Sequence, residues 1–236
     1  MTMEHLNYFD FISFPDRAER DKIRKTYFDT HELRICDLDF DALYDKGNLA
    51  NLKLFAKYSK LKDKINYFNN TVVYLDLAVL KMVNYFDLLK NDIKDKEEKD
   101  IREILYRQSC RNVSCEVYIY EEKIKDFLRY IFKFDKTKTK SDNKFFQALG
   151  KACENIPYGK EFLVVADTYH KNENVIAIKS LRNDEVHNST RLLMTLEENN
   201  SDFNNNELFQ KIKFCLNAMV ELKNGLYSFI VNYFDL

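Results

Sequence analysis

The stretch INYFNNTVVYLDLAVLKMVNYFDLL, residues 65–89, carries the clearest pattern in the chain. Its apolar residues recur at alternating spacings of three and four, which places them along one face of a helix. They are Ile65, Phe68, Val72, Leu75, Val79, Met82, Phe86 and Leu89. About 28 residues at a rise of 1.5 Å make a helix roughly 42 Å long, and we predict such a helix from Ile65 onward.

The same periodicity resumes after the polar link KNDIKDKEEKD, residues 90–100. It predicts a second helix from about Glu98 to Phe134, with a polar interruption at 108–112 that faces either solvent or a site. A third helix is predicted from near Lys160, with a kink at the weak point KNEN, residues 171–174. The Asn-rich run at 199–206 predicts a loop before a last helix. Four long helices joined by short links predict an antiparallel four-helix up-and-down bundle.

Composition agrees with an all-α fold. Only four Gly and two Pro occur in 236 residues, whereas β-sandwiches and α/β folds need more turn residues. With 45% hydrophobic residues, a chain of this length can bury a core without the support of a disulfide or a metal. We therefore expect the helical domain to span residues 61–236.

Residues 1–60 are expected to form a mixed N-terminal extension of unknown role. A short charged helix is predicted between Asp16 and Phe28. Apolar residues between Leu33 and Phe40 alternate in part with period two, which indicates a short strand.

The charges are nearly balanced, at 37 basic and 38 acidic residues. No global field attracts nucleic acid, so any RNA site must be a local patch. The loop at 135–144 is either a solvated connection or a patch that contacts phosphate, through Lys136, Lys138, Lys140 and Lys144. The adjacent carboxylates at 97/98, 121/122 and 197/198 are predicted to be ordinary helix surface.

Cysteine usage and hydropathy predict a cytoplasmic protein. Five Cys without a CxxC pair indicate reduced thiols, mostly in the core. The start MTMEHLNYFDF lacks a basic region followed by an apolar run, so no signal peptide is predicted. No window approaches the ~20 apolar residues of a membrane span, so no membrane partner is expected.

Most catalytic motifs are missing from the chain. It has no glycine-rich phosphate loop, no G-x-S-x-G and no HExxH, and we expect neither a cofactor nor a metal. His5, His31 and His170 are interpreted as ordinary surface or loop residues. The remaining candidate is LRNDEVHNS, residues 181–189, between the third and fourth long helices.

In this segment the chain resembles the HEPN superfamily of helical-bundle proteins, many of which carry an Arg, four to six intervening residues and a His, with Asn or Asp often directly after the Arg. Arg182, Asn183 and His187 match that pattern with a gap of four residues. The resemblance covers roughly residues 62–236 and looks closer to the bacterial abortive-infection members than to the nucleotidyltransferase-linked ones. It implies a metal-independent endoribonuclease, a toxin or phage-defence effector, that pairs its motifs across a homodimer.

The spacing of the motif sets a geometric condition. Five residues of a regular helix turn about 500°, so Arg182 and His187 lie about 140° apart. A turn after Arg182, or a second copy of the segment, would bring them together. His187 suits proton transfer from the 2′-OH of RNA or to the leaving 5′-oxygen, and Arg182 suits the phosphate in its transition state. Asn183 would orient the phosphate or His187.

Two other functions stay open. One is a non-catalytic HEPN-like module that binds RNA or a partner protein, and the other is a structural helical adaptor. An antitoxin or regulatory partner is also open for the ribonuclease.

Overall fold

A computed structural model describes residues 15–36, 38, 52–91, 95–187 and 204–234, with side chains except at 52–58 and 183–187. The first part of the predicted Asn-rich loop lies outside these residues. Seven α-helices cover most of the described chain, and a single 3-10 turn spans Thr30–Leu33. They are α1 (Arg17–Thr26), α2 (Leu52–Leu89), α3 (Lys96–Phe132), α4 (Asp142–Cys153), α5 (Gly159–Lys171), α6 (Glu173–His187) and α7 (Asn205–Phe234).

The all-α class is confirmed, since no described residue belongs to a strand. The strand expected after Leu33 is wrong for the part of it that the structure describes. Leu33 and Ile35 alternate as buried residues because the extended segment lies across two helices, not because it pairs in a sheet. Tyr120 donates a hydrogen bond to the Leu33 carbonyl at 3.1 Å, and Asn69 bonds both backbone groups of Ile35 at 2.8 Å.

The predicted helices are present with shifted ends. α2 begins at Leu52 and crosses the expected boundary between residues 60 and 61. Residues 52–61 contain neither Gly nor Pro, so nothing in their backbone preferences ends the helix there. α3 begins at Lys96 because Asp95 caps it, accepting a hydrogen bond from the Glu97 amide at 2.9 Å. The charged helix predicted after Asp16 is α1, whose capping box joins Asp16 and Glu19.

α2 and α3 form a long antiparallel pair. Phe68 packs against Tyr120 and Phe86 against Tyr106, with ring centroids 4.9 and 5.5 Å apart, so residue numbers rise along one helix and fall along the other. α7 joins this pair through Phe209, which stacks on Phe86 with ring centroids 4.0 Å apart. α5 and α6 pack on α7, and α6 also packs on α3.

Some simpler expectations are settled as well. Cys110, Cys153 and Cys215 are buried free thiols, Cys115 is half-buried and Cys36 is exposed, as expected for a mostly core set. Within the described ranges, no helix combines the length and the apolar character needed to cross a membrane.

Candidate functional site

The predicted kink before the motif is confirmed as a break between α5 and α6. α5 ends at Lys171, and Asn172 adopts an extended backbone. The Asn172 side-chain oxygen then accepts hydrogen bonds from the amides of Asn174 at 3.0 Å and Val175 at 3.2 Å. These are the bonds of an N-cap, so α6 starts as a new helix with its own direction.

Two contacts fix α6 against α3. Lys179 places its Nζ 2.9 Å from an oxygen of Glu121, and the Arg182 guanidinium lies 4.0 Å from the centroid of the Tyr118 ring. Three residues forward on α6 therefore correspond to three residues back on α3, so the two helices run antiparallel. Arg182 is half-buried, and its position over an aromatic face is a cation–π contact.

α6 runs as one helix through the whole motif, from Arg182 to His187. The turn after Arg182 that could have joined the motif within one chain is therefore not present. On this helix the two positions lie about 140° apart. The side chains of Asn183 and His187 lie outside the described residues, so only their place on the helix is known. The alternative, in which a second copy supplies the missing group, stays a prediction.

The antiparallel register brings the last turn of α6 to the level of α3 residues near Val113. This part of α3 is the polar stretch at 108–112, which the sequence predicted to face either solvent or a site. Cys110 is buried and Arg111 is half-buried, whereas Gln108 and Asn112 are exposed. One turn earlier Arg107 is buried and binds Glu103 at 2.6 Å.

Tyr118 is therefore a neighbour of the motif that sequence reasoning missed, and Arg111 and Arg107, on the same face of α3, lie two and six residues beyond the level of the motif's last position. The spacing of the two arginines, four residues apart on a predicted helix, places them on one face. That signal was visible in the sequence. Their proximity to α6 was not, because it depends on the register between α3 and α6.

The four lysines predicted to bind phosphate lie beyond the C-terminal end of α3, three in the loop that follows it and Lys144 on α4. Lys138, Lys140 and Lys144 are exposed, and Lys136 pairs with Asp126 at 3.3 Å. Asp126 is eight residues beyond Tyr118, or about 12 Å along the helix. The structure does not bring this loop beside Arg182. It is held instead by Arg129, which donates to the carbonyl of the buried Thr139 at 2.8 Å.

The prediction that Glu121 is surface is wrong. Its side chain is only 4% exposed, as is that of Lys125, and the two meet at 2.7 Å. Lys125 also binds Asp142 at 2.6 Å, and Lys179 binds both carboxylates, at 2.9 and 3.1 Å. Glu121 is buried because α6 and α4 pack over this face of α3, which the sequence of α3 alone does not reveal.

These contacts set the charge states of the network. Burial alone would lower the pKa of Lys125, but the charges and hydrogen bonds of Glu121 and Asp142 raise it above its ordinary value. Burial alone would raise the pKa of Asp142, but Lys125 and Lys179 hold it below its ordinary value. Lys125 and Asp142 therefore stay charged near neutral pH, and the ion pairs of this network tie α3, α4 and α6 together.

The other predicted histidines show no catalytic arrangement. His31 is exposed, His170 is half-buried with its ring 4.5 Å from that of Phe146, and His5 lies outside the described residues. Among the residues with a described position, no three His, Cys, Asp or Glu side chains gather as a metal cage would require.

No comparison with known proteins assigns this chain to a family. A scan against protein-family models, a search of curated proteins and a search of solved structures found no match to this chain.

Proposed function

We propose that this chain is a metal-independent endoribonuclease of HEPN type, a toxin or phage-defence effector that acts as a homodimer. The proposal includes the four-helix antiparallel arrangement of that superfamily. It rests on the place of the motif, in the last turns of α6, with Arg182 held over Tyr118. On α3, Arg111 lies within about two residues of the level of the motif's last position, so a second arginine stands near the motif.

A composite site across a dimer follows from the helical geometry. Arg182 and His187 occupy positions about 140° apart on one helix, so we infer that a single chain does not bring both to one phosphate. A symmetric partner repeats the same segment, and a two-fold axis near α6 would place Arg182 of one chain opposite His187 of the other.

The chemistry needs only these side chains and the substrate. His187 accepts the 2′-OH proton as the 2′-oxygen attacks the adjacent phosphorus, and an imidazolium protonates the departing 5′-oxygen. Arg182 stabilises the extra negative charge of the phosphorane, and Asn183 orients the phosphate or His187. The products are a 2′,3′-cyclic phosphate and a 5′-hydroxyl. DNA lacks the internal nucleophile, so RNA is the expected substrate.

The first experiment expresses the wild type, Arg182→Ala and His187→Ala in bacteria and follows growth and RNA integrity. Loss of the general acid–base group is expected to lower cleavage by about 10²–10⁴-fold. His170→Ala is the matched control, since His170 lies on the preceding helix, where its half-buried ring packs against Phe146. Intact RNA with the wild type, or equal cleavage by all four proteins, would refute the proposed ribonuclease activity.

A second experiment tests the composite site by mixing Arg182→Ala with His187→Ala chains. Half of the dimers in an equal mixture are mixed, and each holds one intact site, so about a quarter of the wild-type activity should return. Activity that stays at the level of the separate variants would contradict a site shared between chains.

A non-catalytic HEPN-like binding module is the second candidate. The half-buried cation–π contact of Arg182 favours it, because a structural arginine makes the same contact. This module would bind RNA or a protein without turnover and tolerate His187→Ala. It would lose RNA binding when Lys136, Lys138, Lys140 and Lys144 are changed together to Glu.

A further inference from the structure

A cleft between the 3-10 turn and α7 gathers basic groups far from any predicted motif. It has a volume of about 380 Å³, within the range of roughly 300–1,000 Å³ that small-molecule sites occupy. Arg34 and His31 line one side, and Lys223, Asn224 and Tyr227 line the other. We propose that this cleft binds a phosphate group, and the proposal does not depend on ribonuclease activity.

Arg34 is the centre of the proposal because it is only partly satisfied. Its Nε is buried and has no hydrogen-bond acceptor among the described residues. Neither Arg34 nor Lys223 makes an ion pair with a described carboxylate. A guanidinium that gives up water at Nε without gaining an acceptor there loses free energy, and an anion bound at its cleft-facing side would offset that loss by pairing with its charge.

The backbone that carries Arg34 is held in place before any ligand arrives. Leu33 and Ile35 on either side are buried in the core. Tyr120 binds the Leu33 carbonyl, and Asn69 binds the amide and the carbonyl of Ile35. A ligand would therefore not have to order this segment, which lowers the entropic cost of binding.

The charge and the shape of the cleft define the class of ligand. Arg34 and Lys223 contribute two positive charges against one from Glu32, which also lines the cleft. Arg presents a fork that matches phosphate oxygens, and Asn224 adds an amide donor. Tyr227 offers a half-buried ring on which a base can stack, so the phosphate of a nucleotide fits both halves of the cleft.

The test titrates the full chain with inorganic phosphate, adenosine 5′-monophosphate and a short RNA without terminal phosphates. Backbone amide signals of residues 31–36 and 223–227 are followed by NMR. We expect all of these signals to shift with inorganic phosphate. Arg34→Gln and Lys223→Gln should each weaken binding by about tenfold or more. Lys211→Gln is the matched control, since Lys211 lies twelve residues earlier on α7, about 18 Å away, and pairs with Glu207.

The three ligands separate the possible sources of the phosphate. Equal affinity for inorganic phosphate and the mononucleotide indicates a free anion, tighter mononucleotide binding indicates a nucleotide, and tighter RNA binding indicates a phosphodiester. If Arg34→Gln does not fold, Lys223→Gln on the helix surface decides alone. Amides that do not move with phosphate, or equal shifts in Lys223→Gln and Lys211→Gln, would overturn the proposal. Arg182→Ala should leave the phosphate-induced shifts of amides 31–36 and 223–227 unchanged, so this test and the ribonuclease test fail separately.

Discussion

At the scale of single residues, two ion pairs of equal geometry differ mainly in burial. Lys125 and Glu121 meet at 2.7 Å with side chains 4% exposed, and Lys171 and Asp167 meet at 2.7 Å with side chains 72% and 60% exposed. Both pairs have the i,i+4 spacing. A buried partner that loses its counter-charge keeps its desolvation cost, whereas an exposed one regains water.

Removing the Glu121 side chain should therefore destabilise the fold. Glu121→Ala leaves the buried Lys125 with fewer carboxylates, and we expect it to lower the free energy of unfolding by about 3 kcal/mol. Asp167→Ala, the matched control on the surface, should change it by less than about 1 kcal/mol. Urea unfolding followed by circular dichroism measures both. Similar losses in the two variants would contradict the burial argument.

The same network predicts an acid limit to stability. The pKa of Asp142 is lower in the folded chain than its ordinary value of 3.8, so its contribution is present above that value. The contribution is lost as the pH falls through the folded pKa. The free energy of unfolding should therefore decline below about pH 4, and Asp142→Asn should make that decline shallower. Parallel declines in both proteins would show that other carboxyls dominate.

At the scale of helices, two glycines should respond in opposite ways to the same substitution. An added Cβ at Gly225 on α7 would lie 2.9 Å from Val165 on α5, whereas at Gly150 on α4 nothing lies within 4 Å. Alanine favours a helix over glycine by about 1 kcal/mol, so only the space around each site decides the sign.

Gly150→Ala should stabilise the chain by about 0.5–1 kcal/mol. Gly225→Ala should destabilise it by about 1–3 kcal/mol, because Val165 is β-branched and cannot easily turn away. Val165→Ala in the Gly225→Ala background should recover part of the loss. Thermal unfolding of the three variants measures these effects, and a rise in Tm for Gly225→Ala would show that α5 and α7 separate easily.

Helices were the most predictable feature, and contacts between them the least. The stripe from Ile65 to Leu89 specified α2, and the polar run at 171–174 located the break before α6, because periodicity and breakers act locally. The burial of Glu121 and the contact between Arg182 and Tyr118 depend on how two helices are aligned. A single sequence does not encode that alignment in any short window. The predicted roles of Asn183 and His187 stay untested for a separate reason, which is that their side chains lie outside the described residues.

At the scale of the whole molecule, the proposed ribonuclease requires two chains. α6 runs as one helix from Arg182 to His187, so under this proposal an active solution must contain dimers. Sedimentation at the protein concentration of the activity assay should give a mass of about twice 28.3 kDa. Cleavage by a species of single-chain mass would contradict the composite site while leaving a ribonuclease of another design open.

The paired contacts of Lys179 with Glu121 and of Arg182 with Tyr118 also discriminate against wrong packings. Sliding α6 along α3 by one turn, about 5.4 Å, would break both contacts at once and leave Glu121 buried without Lys179. An interface made only of interchangeable apolar side chains would resist such a slip far less. We expect these charges to widen the energy gap between the native packing and its nearest competitor more than they deepen the native minimum.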